Sequence, residues 1–301
     1  MTAAAAPGPG LLTRWRMASR PATLTASVAP VLVGTGLAIG RDSFSALPAF
    51  AALGGAMALQ IGANFANDVF DFQRGADTAD RLGPTRVTQT GLLTPGQVKG
   101  GMVAAFALAM LLGVYLVVVA GWPIIAVGLA SILAAVVYTG GPWPTGYHAL
   151  GDLFTFVFFG LVAVSGTYYV QAKDLPLATL LASIPMGCTV TAILVINNLR
   201  DIETDRKAGK HTLGVVMGEA ATRGWYVFMV AAAYVVAIAM WPLGEAGPGV
   251  LLVLLSLPLA LPLLRAVTGG TTGRALNLSL KGTASLTFVL GVLFAVGLAL
   301  S

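Results

Sequence analysis

Most of the few carboxylates in this chain lie in two short segments. Of its 12 Asp and Glu residues, seven fall between positions 68 and 80 or between positions 201 and 205. In both segments an asparagine precedes an aspartate by four residues, which places the two side chains on one face of an α-helix. A third aspartate continues each face three or four residues further on. The two faces comprise Asn64, Asp68 and Asp71 and, in the second segment, Asn197, Asp201 and Asp205.

The two faces are related by a nearly constant offset along the chain. Asn64 and Asn197 are separated by 133 residues, as are Asp68 and Asp201, whereas the third aspartate is out of register by one residue. This relation indicates an internal repeat in which two helices present equivalent polar faces. The register break leaves open whether the repeat arose by duplication.

The chemistry of the two segments favours a bound cation. A carboxylate near hydrocarbon costs about 2.5–3.5 kcal/mol even on lenient insertion scales, and clustered like charges repel one another unless a cation lies between them. Aspartate and asparagine oxygens suit Mg²⁺, which is commonly completed by substrate phosphate oxygens. The neighbouring arginines and lysines bind phosphate. Mg²⁺-bridged diphosphate is therefore predicted, and a pair of solvated, salt-bridged loops is the alternative.

These side chains belong to a strongly apolar chain. Its 301 residues are 57% hydrophobic and only 10% charged, with a mean hydropathy of +0.86, whereas soluble domains carry roughly 25% charged residues. We therefore predict an all-α polytopic membrane protein with about nine transmembrane helices. The predicted spans are residues 22–40, 46–70, 98–120, 122–139, 151–170, 176–198, 223–242, 248–266 and 281–300. Residues 1–21 are expected to form an N-terminal tail and interfacial segment, with Trp15 as an anchor, and residues 22–301 one transmembrane domain.

The basic residues predict the orientation of the spans. Of 17 Lys and Arg residues, 15 fall on one side of the predicted membrane, and only Arg41 and Lys173 fall on the other. Basic loops stay in the cytoplasm, so the N-terminus and both acidic loops are expected there and the C-terminus outside, in the cell inner (plasma) membrane. The net charge of +5 is therefore explained without nucleic acid as a partner. The single cysteine, Cys188, excludes an intrachain disulfide.

Four stretches of the chain resemble the UbiA superfamily of intramembrane prenyltransferases. They are residues 20–38, 64–95, 138–153 and 197–215, and the surroundings "GADTADRLGP" and "GKHTL" resemble the branch that prenylates a dihydroxynaphthoate. The resemblance implies a UbiA-type bundle with a lipid-facing central cavity. It implies transfer of a polyprenyl chain from polyprenyl diphosphate to 1,4-dihydroxy-2-naphthoate, with loss of CO₂, giving demethylmenaquinol and diphosphate.

The resemblance also implies roles for individual residues. The implied Mg²⁺ ligands are Asn64, Asp68, Asp71, Asp201 and Asp205, the aspartates among them being catalytic through the metal. The implied substrate-binding residues, for the diphosphate or for the acceptor carboxylate, are Asn64, Arg81, Arg86, Asn197, Arg206 and Lys210. Asp77 and Asp80 are candidates for an outer metal shell or a base, or for helix caps. Tyr138 either faces the allylic cation through its ring or is a core or interfacial tyrosine.

Three expectations concern residues beside these sites. Arg200 and Lys207 are expected to meet solvent or lipid headgroups, and His148 is expected to be an interfacial histidine.

Two other functions compete with this one. A related prenyltransferase would use the same diphosphate site with another acceptor, such as 4-hydroxybenzoate, homogentisate, haem or a phosphorylated sugar. A cation-coupled transporter would also place acids in the membrane, but transporters hold such groups near the midplane in broken helices. Here both acidic segments follow apolar runs and face the same side, which favours the enzyme.

Overall fold

The computed structural model describes residues 9–76 and 82–301, and within them the protein is all-α, as predicted. A chain that crosses lipid must satisfy its backbone hydrogen bonds internally, and helices do this. The only β-type pairing among the described residues is an isolated bridge between His148 and His211. The helices are α1 (Leu11–Ser19), α2 (Thr25–Gly40), α3 (Ala46–Gln73), α4 (Pro95–Ala120), α5 (Pro123–Val137), α6 (Gly151–Ala172), α7 (Leu177–Lys207), α8 (Leu213–Ala239), α9 (Pro248–Thr268) and α10 (Gly273–Ala299).

Each of the nine predicted spans overlaps one of the helices α2 to α10, although the count of about nine is approximate. In the described part of the chain, seven helices are long and apolar enough to cross a bilayer, and the pair Leu11–Thr23 and Thr25–Gly40, bent by 51°, would be an eighth. The remaining helix, α5, has 15 residues. The predicted spans differ most from the observed helices near charged residues. The helix α7 continues to Lys207, and α8 already starts at Leu213. An apolar run ends at the first charges, whereas the helix itself continues beyond them.

The helix α7 lies at the centre of the bundle, and α4 lies at its periphery. In the most apolar 18-residue stretch of α7, 72% of the residues are buried. In the corresponding stretch of α4 only 17% are buried. Small residues allow the central helices to approach closely: a Cβ atom on Gly36 of α2 would lie 2.2 Å from the Ala295 carbonyl of α10, and one on Gly160 of α6 would lie 2.6 Å from Gly187 of α7. Gly160 falls within a π-helical stretch, Phe156–Val162, and such bulges are frequent at functional sites.

Both acidic segments lie at the same end of the bundle. The C-terminal ends of α3 and α7 meet there, together with the corner between α1 and α2, the loops 82–94 and 139–150, and the start of α10. Residues Arg41 and Glu245 form an ion pair at the other end. The assignment of the acidic end to the cytoplasm stays a prediction.

The short helix α1 packs across the acidic end. Its Trp15 ring meets Phe65 of α3 edge-on, with centroids 5.7 Å apart, and also covers Gly101 of α4. Leu11 and Leu12 point outward and are exposed. Tryptophan and exposed leucines suit the membrane interface, so the interfacial role of this segment remains the interpretation that fits its structure.

Candidate active site

The buried carboxylate of Asp71 is the meeting point of three other segments. Its Oδ2 accepts a hydrogen bond from Arg86 at 3.1 Å, and its Oδ1 accepts from the Tyr147 hydroxyl at 2.7 Å and from Lys210 Nζ at 3.3 Å. Asp71 is 3% exposed and Arg86 is 6% exposed. Two basic groups thus contact one buried carboxylate, and groups of this kind also bind phosphate.

Asp68, one turn earlier on α3, holds the chain that follows the first acidic segment. Its two oxygens accept the backbone N–H groups of Val87 and Thr88, at 3.3 and 3.0 Å. The Arg20 guanidinium lies 3.8 Å away. Because a buried carboxylate requires such donors, Asp68 fixes the loop 82–94 against α3 at the position where Arg86 reaches Asp71.

Asn64 faces the corner between α1 and α2. Its Nδ2 donates to the Ser19 carbonyl at 2.8 Å and to the Thr23 hydroxyl at 2.9 Å, and its Oδ1 accepts from Gln60 at 3.2 Å. The same corner carries Arg20, whose backbone is left-handed with φ 50°. The predicted face of α3 therefore exists as expected, and the α1–α2 corner lies against it.

The second acidic segment surrounds a buried arginine, which corrects the expectation for Arg200. The Arg200 side chain is 0% exposed and forms an ion pair with Asp201. It also donates to Asn197 Oδ1 at 2.7 Å and to Asn277 Oδ1 of α10 at 2.8 Å. The expectation of a solvated residue was wrong because a long side chain can fold back along its helix. Asn277 in turn donates to the Leu82 carbonyl, which joins the two acidic segments through α10.

Asp205 and Lys210 lie on the inner side of the second segment, and Arg206 does not. Asp205 is partly buried, accepts a long hydrogen bond of 3.5 Å from Thr212, and lies within electrostatic range of Asp71 and Asp201. Arg206 is exposed and pairs with Glu203 at 2.9 Å. Lys207 is also exposed, as expected. Of the two basic residues implied for this segment, the structure brings only Lys210 to the acidic cluster.

Two tyrosines border the cluster, and only one of them was predicted. Tyr147 places its ring 4.6 Å from Lys210 Nζ and 5.6 Å from the Arg74 guanidinium carbon. No charge or spacing in the sequence singled it out. Tyr138 directly follows α5, and a Cβ on Gly151 of α6 would lie 3.0 Å from its hydroxyl. A phenol hydroxyl can donate a hydrogen bond to an anion.

A buried carboxylate that the sequence did not single out lies beside this cluster. Asp152, at the start of α6, accepts hydrogen bonds from Asn198 of α7 at 3.3 Å and from the Trp225 indole of α8 at 2.9 Å. Asn198 therefore faces away from Asn197, as the helical geometry predicts. His148 is exposed and stacks on Trp143 at 4.3 Å, a position consistent with an interfacial residue.

The carboxylate and amide side chains at this site suit a metal ion whose coordination shell is completed by the substrate. Among residues 9–76 and 82–301, no three His, Cys, Asp or Glu side chains form a ready-made metal cage. Mg²⁺, however, usually takes only one or two carboxylates and completes its shell with water and substrate phosphate. Among the described residues, the Asp205 carboxylate accepts one hydrogen bond, the long Thr212 contact, and interacts with Lys210 and Arg200 only electrostatically. It is therefore the carboxylate most available to a cation. The candidates Asp77, Asp80 and Arg81 lie outside the described residues.

Comparisons with known proteins agree with this arrangement. The profile of the UbiA prenyltransferase family matches residues 27–275. The chain is 40% identical to a 1,4-dihydroxy-2-naphthoate octaprenyltransferase of Mycobacterium tuberculosis, over 93% of this chain and 95% of that protein. It is also 40% identical to the enzyme of the same name from Escherichia coli, over 72% of each chain.

Solved structures show the same fold at low sequence identity. A UbiA homologue from Aeropyrum pernix K1 superposes with a TM-score of 0.70 and 17% identity, covering 89% of this chain and 96% of that one. A UbiA homologue from Archaeoglobus fulgidus, bound to GPP and Mg²⁺, superposes with a TM-score of 0.69 and 16% identity, covering 96% and 100%.

Proposed function

We propose, from the premise that this chain belongs to the UbiA prenyltransferase family, that it transfers a polyprenyl chain to 1,4-dihydroxy-2-naphthoate. The products would be demethylmenaquinol, CO₂ and diphosphate. The observation that carries the proposal is the contact between Asp71 and Lys210, which brings two distant acidic segments into one mixed-charge cluster. The acceptor is supported by the names of relatives that match most of this chain.

Mg²⁺ fits the site as an ion held jointly by protein and substrate. We assign Asp205 and Asp201 as its first ligands. Asp71 and Asp68 would complete the site as their basic partners turn to the diphosphate, together with Asn64. When bound, the metal would offset the charge that grows on the departing diphosphate oxygens. A relative of this fold holds GPP together with Mg²⁺, which supports the same pairing here.

The basic groups of the cluster would bind and orient the diphosphate. Arg86 and Lys210 already share the Asp71 carboxylate, so they can transfer hydrogen bonds to phosphate without moving far. Tyr138 can donate a further hydrogen bond, and the Tyr147 ring, which already faces two cationic side chains, can face the allylic cation. Exposed Arg206 is not needed for this arrangement.

The reaction balances without a base that removes a ring proton. The bond between prenyl carbon and diphosphate oxygen breaks with its electron pair leaving on diphosphate. The ring carbon that bears the carboxylate then forms the new carbon–carbon bond. The electron pair of the carboxylate bond restores the aromatic ring as CO₂ departs. Asp77 and Asp80 are therefore better proposed as outer metal or loop residues than as the base.

The proposed location is the cell inner membrane, with the acidic end of the bundle in the cytoplasm. The supporting observation is the charge asymmetry between the two ends, and a water-soluble acceptor carboxylate would then enter from the cytoplasmic side. The polyprenyl tail would lie in a lipid-facing groove between apolar helices.

The direct test uses purified protein in detergent with Mg²⁺, labelled polyprenyl diphosphate and single acceptors. Lipid-soluble product with 1,4-dihydroxy-2-naphthoate, but not with 4-hydroxybenzoate, is the expected result, and EDTA should abolish it. Product from 4-hydroxybenzoate alone would refute the acceptor and keep the prenyl transfer. Absence of product from every acceptor, with cation uptake by proteoliposomes, would refute the enzyme.

A further inference from the structure

A series of hydrogen bonds runs along α3 and ends on a side-chain oxygen to which no described residue donates. Gln60 lies one helical turn deeper than Asn64, about 6 Å along the axis, on the same face as Asn64 and Asp68. It is 8% exposed. Its Nε2 donates to Asn64 Oδ1 at 3.2 Å and to the Thr23 hydroxyl at 3.4 Å. Its Oε1 is buried and receives no hydrogen bond from residues 9–76 and 82–301.

The Ser19 carbonyl determines which atoms donate and which accept in this series of hydrogen bonds. The Ser19 carbonyl can only accept, so the group that Asn64 turns towards it must be Nδ2. The Oδ1 atom of Asn64 then faces Gln60, so Gln60 must donate to it through Nε2. The Gln60 oxygen is consequently the group that faces away. Rotating either amide would place two acceptors or two donors against each other.

The Oε1 atom of Gln60 is a buried hydrogen-bond acceptor that lacks a donor among the described residues. A buried polar group without a partner is destabilising. Such a group in a folded protein needs an explanation, and a catalytic or binding role is one of them. Gln60 therefore needs a partner that carries an O–H or N–H group.

Only one of the two substrates of the proposed function carries such a group. Diphosphate and its prenyl tail offer acceptors and hydrocarbon, whereas the aromatic acceptor has two ring hydroxyls. Resting on the proposed function, we infer that Gln60 Oε1 accepts a hydrogen bond from a ring hydroxyl of the aromatic diol and thereby selects hydroxylated acceptors. The ring would lie below the diphosphate, on the side where the prenyl carbon emerges, which is where the two must react.

The inference is tested with acceptors that lack one hydroxyl. Wild type, Gln60→Met and Gln60→Leu are compared on 1,4-dihydroxy-2-naphthoate, 1-hydroxy-2-naphthoate and 4-hydroxy-2-naphthoate. Equilibrium binding is measured by naphthoate fluorescence without Mg²⁺ or prenyl diphosphate, and KM is measured for both substrates. Gln171→Met serves as the matched control, because Gln171 lies at the opposite end of the bundle, where it contacts Ser45 and Thr167.

The wild type and the control should bind one of the monohydroxy acids about 10–100-fold more weakly than the diol. Both Gln60 variants should bind the diol more weakly by a similar factor and should no longer distinguish it from that analogue. The KM for prenyl diphosphate should stay within about threefold of wild type.

Two results would overturn the inference. One is unchanged discrimination between diol and monohydroxy acid in a folded Gln60 variant. The other is a loss of Mg²⁺ or prenyl diphosphate affinity in place of acceptor affinity, which would make Gln60 part of the metal-diphosphate site. Failure of wild type to prenylate the diol would instead refute the proposed function, and the fluorescence titration separates the two failures.

Discussion

The Nζ atom of Lys210 lies 3.3 Å from Oδ1 of Asp71, although 139 residues separate them in the chain. The contact joins the loop after the second acidic segment to the end of the first. It brings the two acidic segments together at one end of the bundle. It also places Lys210, and not the exposed Arg206, beside the first acidic face.

Replacing Lys210 by glutamine should weaken substrate binding and turnover. The ammonium group is 14% exposed and already faces a carboxylate, so its loss removes a desolvated charge that diphosphate would use. We expect kcat/KM for prenyl diphosphate to fall about 10–100-fold. Arg206→Gln is the control, because this neighbouring basic residue is exposed and pairs outward with Glu203. It should change kcat/KM less than about threefold, and equal losses in both variants would contradict the assignment.

Replacing Arg200 by glutamine should destabilise the whole bundle. The guanidinium is fully buried between Asp201, Asn197 and Asn277, and removing one partner of a buried ion pair costs about 3–5 kcal/mol. The free energy of unfolding in detergent, measured by denaturant titration, checks this. Lys207→Gln on the exposed side of the same helix should change it by less than about 0.5 kcal/mol. A stable Arg200 variant would show that Asp201 has another partner.

Two adjacent glycines of α4 test the role of α1. A Cβ on Gly101 would lie 2.6 Å from the Trp15 ring, whereas a Cβ on Gly100 would meet nothing within 4 Å. Gly101→Leu should therefore displace α1, together with the Ser19 carbonyl that holds Asn64, and should reduce turnover about tenfold or more. Gly100→Leu should leave turnover unchanged. Activity assays on the two purified variants, with equal expression verified, distinguish a structural role of α1 from passive membrane anchoring.

The aspartates of the two faces should be needed individually for turnover. Asp68→Ala and Asp201→Ala are each expected to abolish product formation, and Glu203→Gln, on an exposed residue, should stay active. Both aspartate variants should still insert and fold, although Asp201→Ala should have a lower free energy of unfolding because buried Arg200 then lacks its carboxylate partner. Asp68→Ala should have a second effect, because it frees the amides of Val87 and Thr88. Limited proteolysis should then cut the loop 82–94 faster than in wild type. An active variant would remove that aspartate from the site.

Helix faces were predictable from spacing, whereas contacts between helices were not. The Asn64–Asp68 and Asn197–Asp201 faces follow from helical periodicity, and the apolar runs located every helix from α2 to α10. Tyr147 and Asn277 carry no charge and belong to no repeat, so their places at the site depend only on packing. The same holds for Gln60, whose importance lies in the partner it lacks among the described residues.

Arg200 shows a different limit of sequence-based prediction. The sequence predicts that Arg200 meets solvent or lipid headgroups, because charged residues are usually solvated. Its real environment is set by α10, where Asn277 accepts its hydrogen bond. The start of α10 also receives no support from any motif, so the contribution of the last span to the site becomes visible only in three dimensions.

The left-handed backbone of Arg20 affects both the stability and the activity of the protein. A left-handed conformation costs a non-glycine residue about 1–2 kcal/mol, and the following Pro21 restricts the residue further. Glycine at position 20 would relieve that strain and would remove the guanidinium beside Asp68. The strain relief and the lost contact with buried Asp68 oppose each other in the free energy of unfolding, so Arg20→Gly should gain little or no melting temperature while turning over more slowly. The protein thus carries about 1–2 kcal/mol of backbone strain at the residue that places a positive charge beside Asp68.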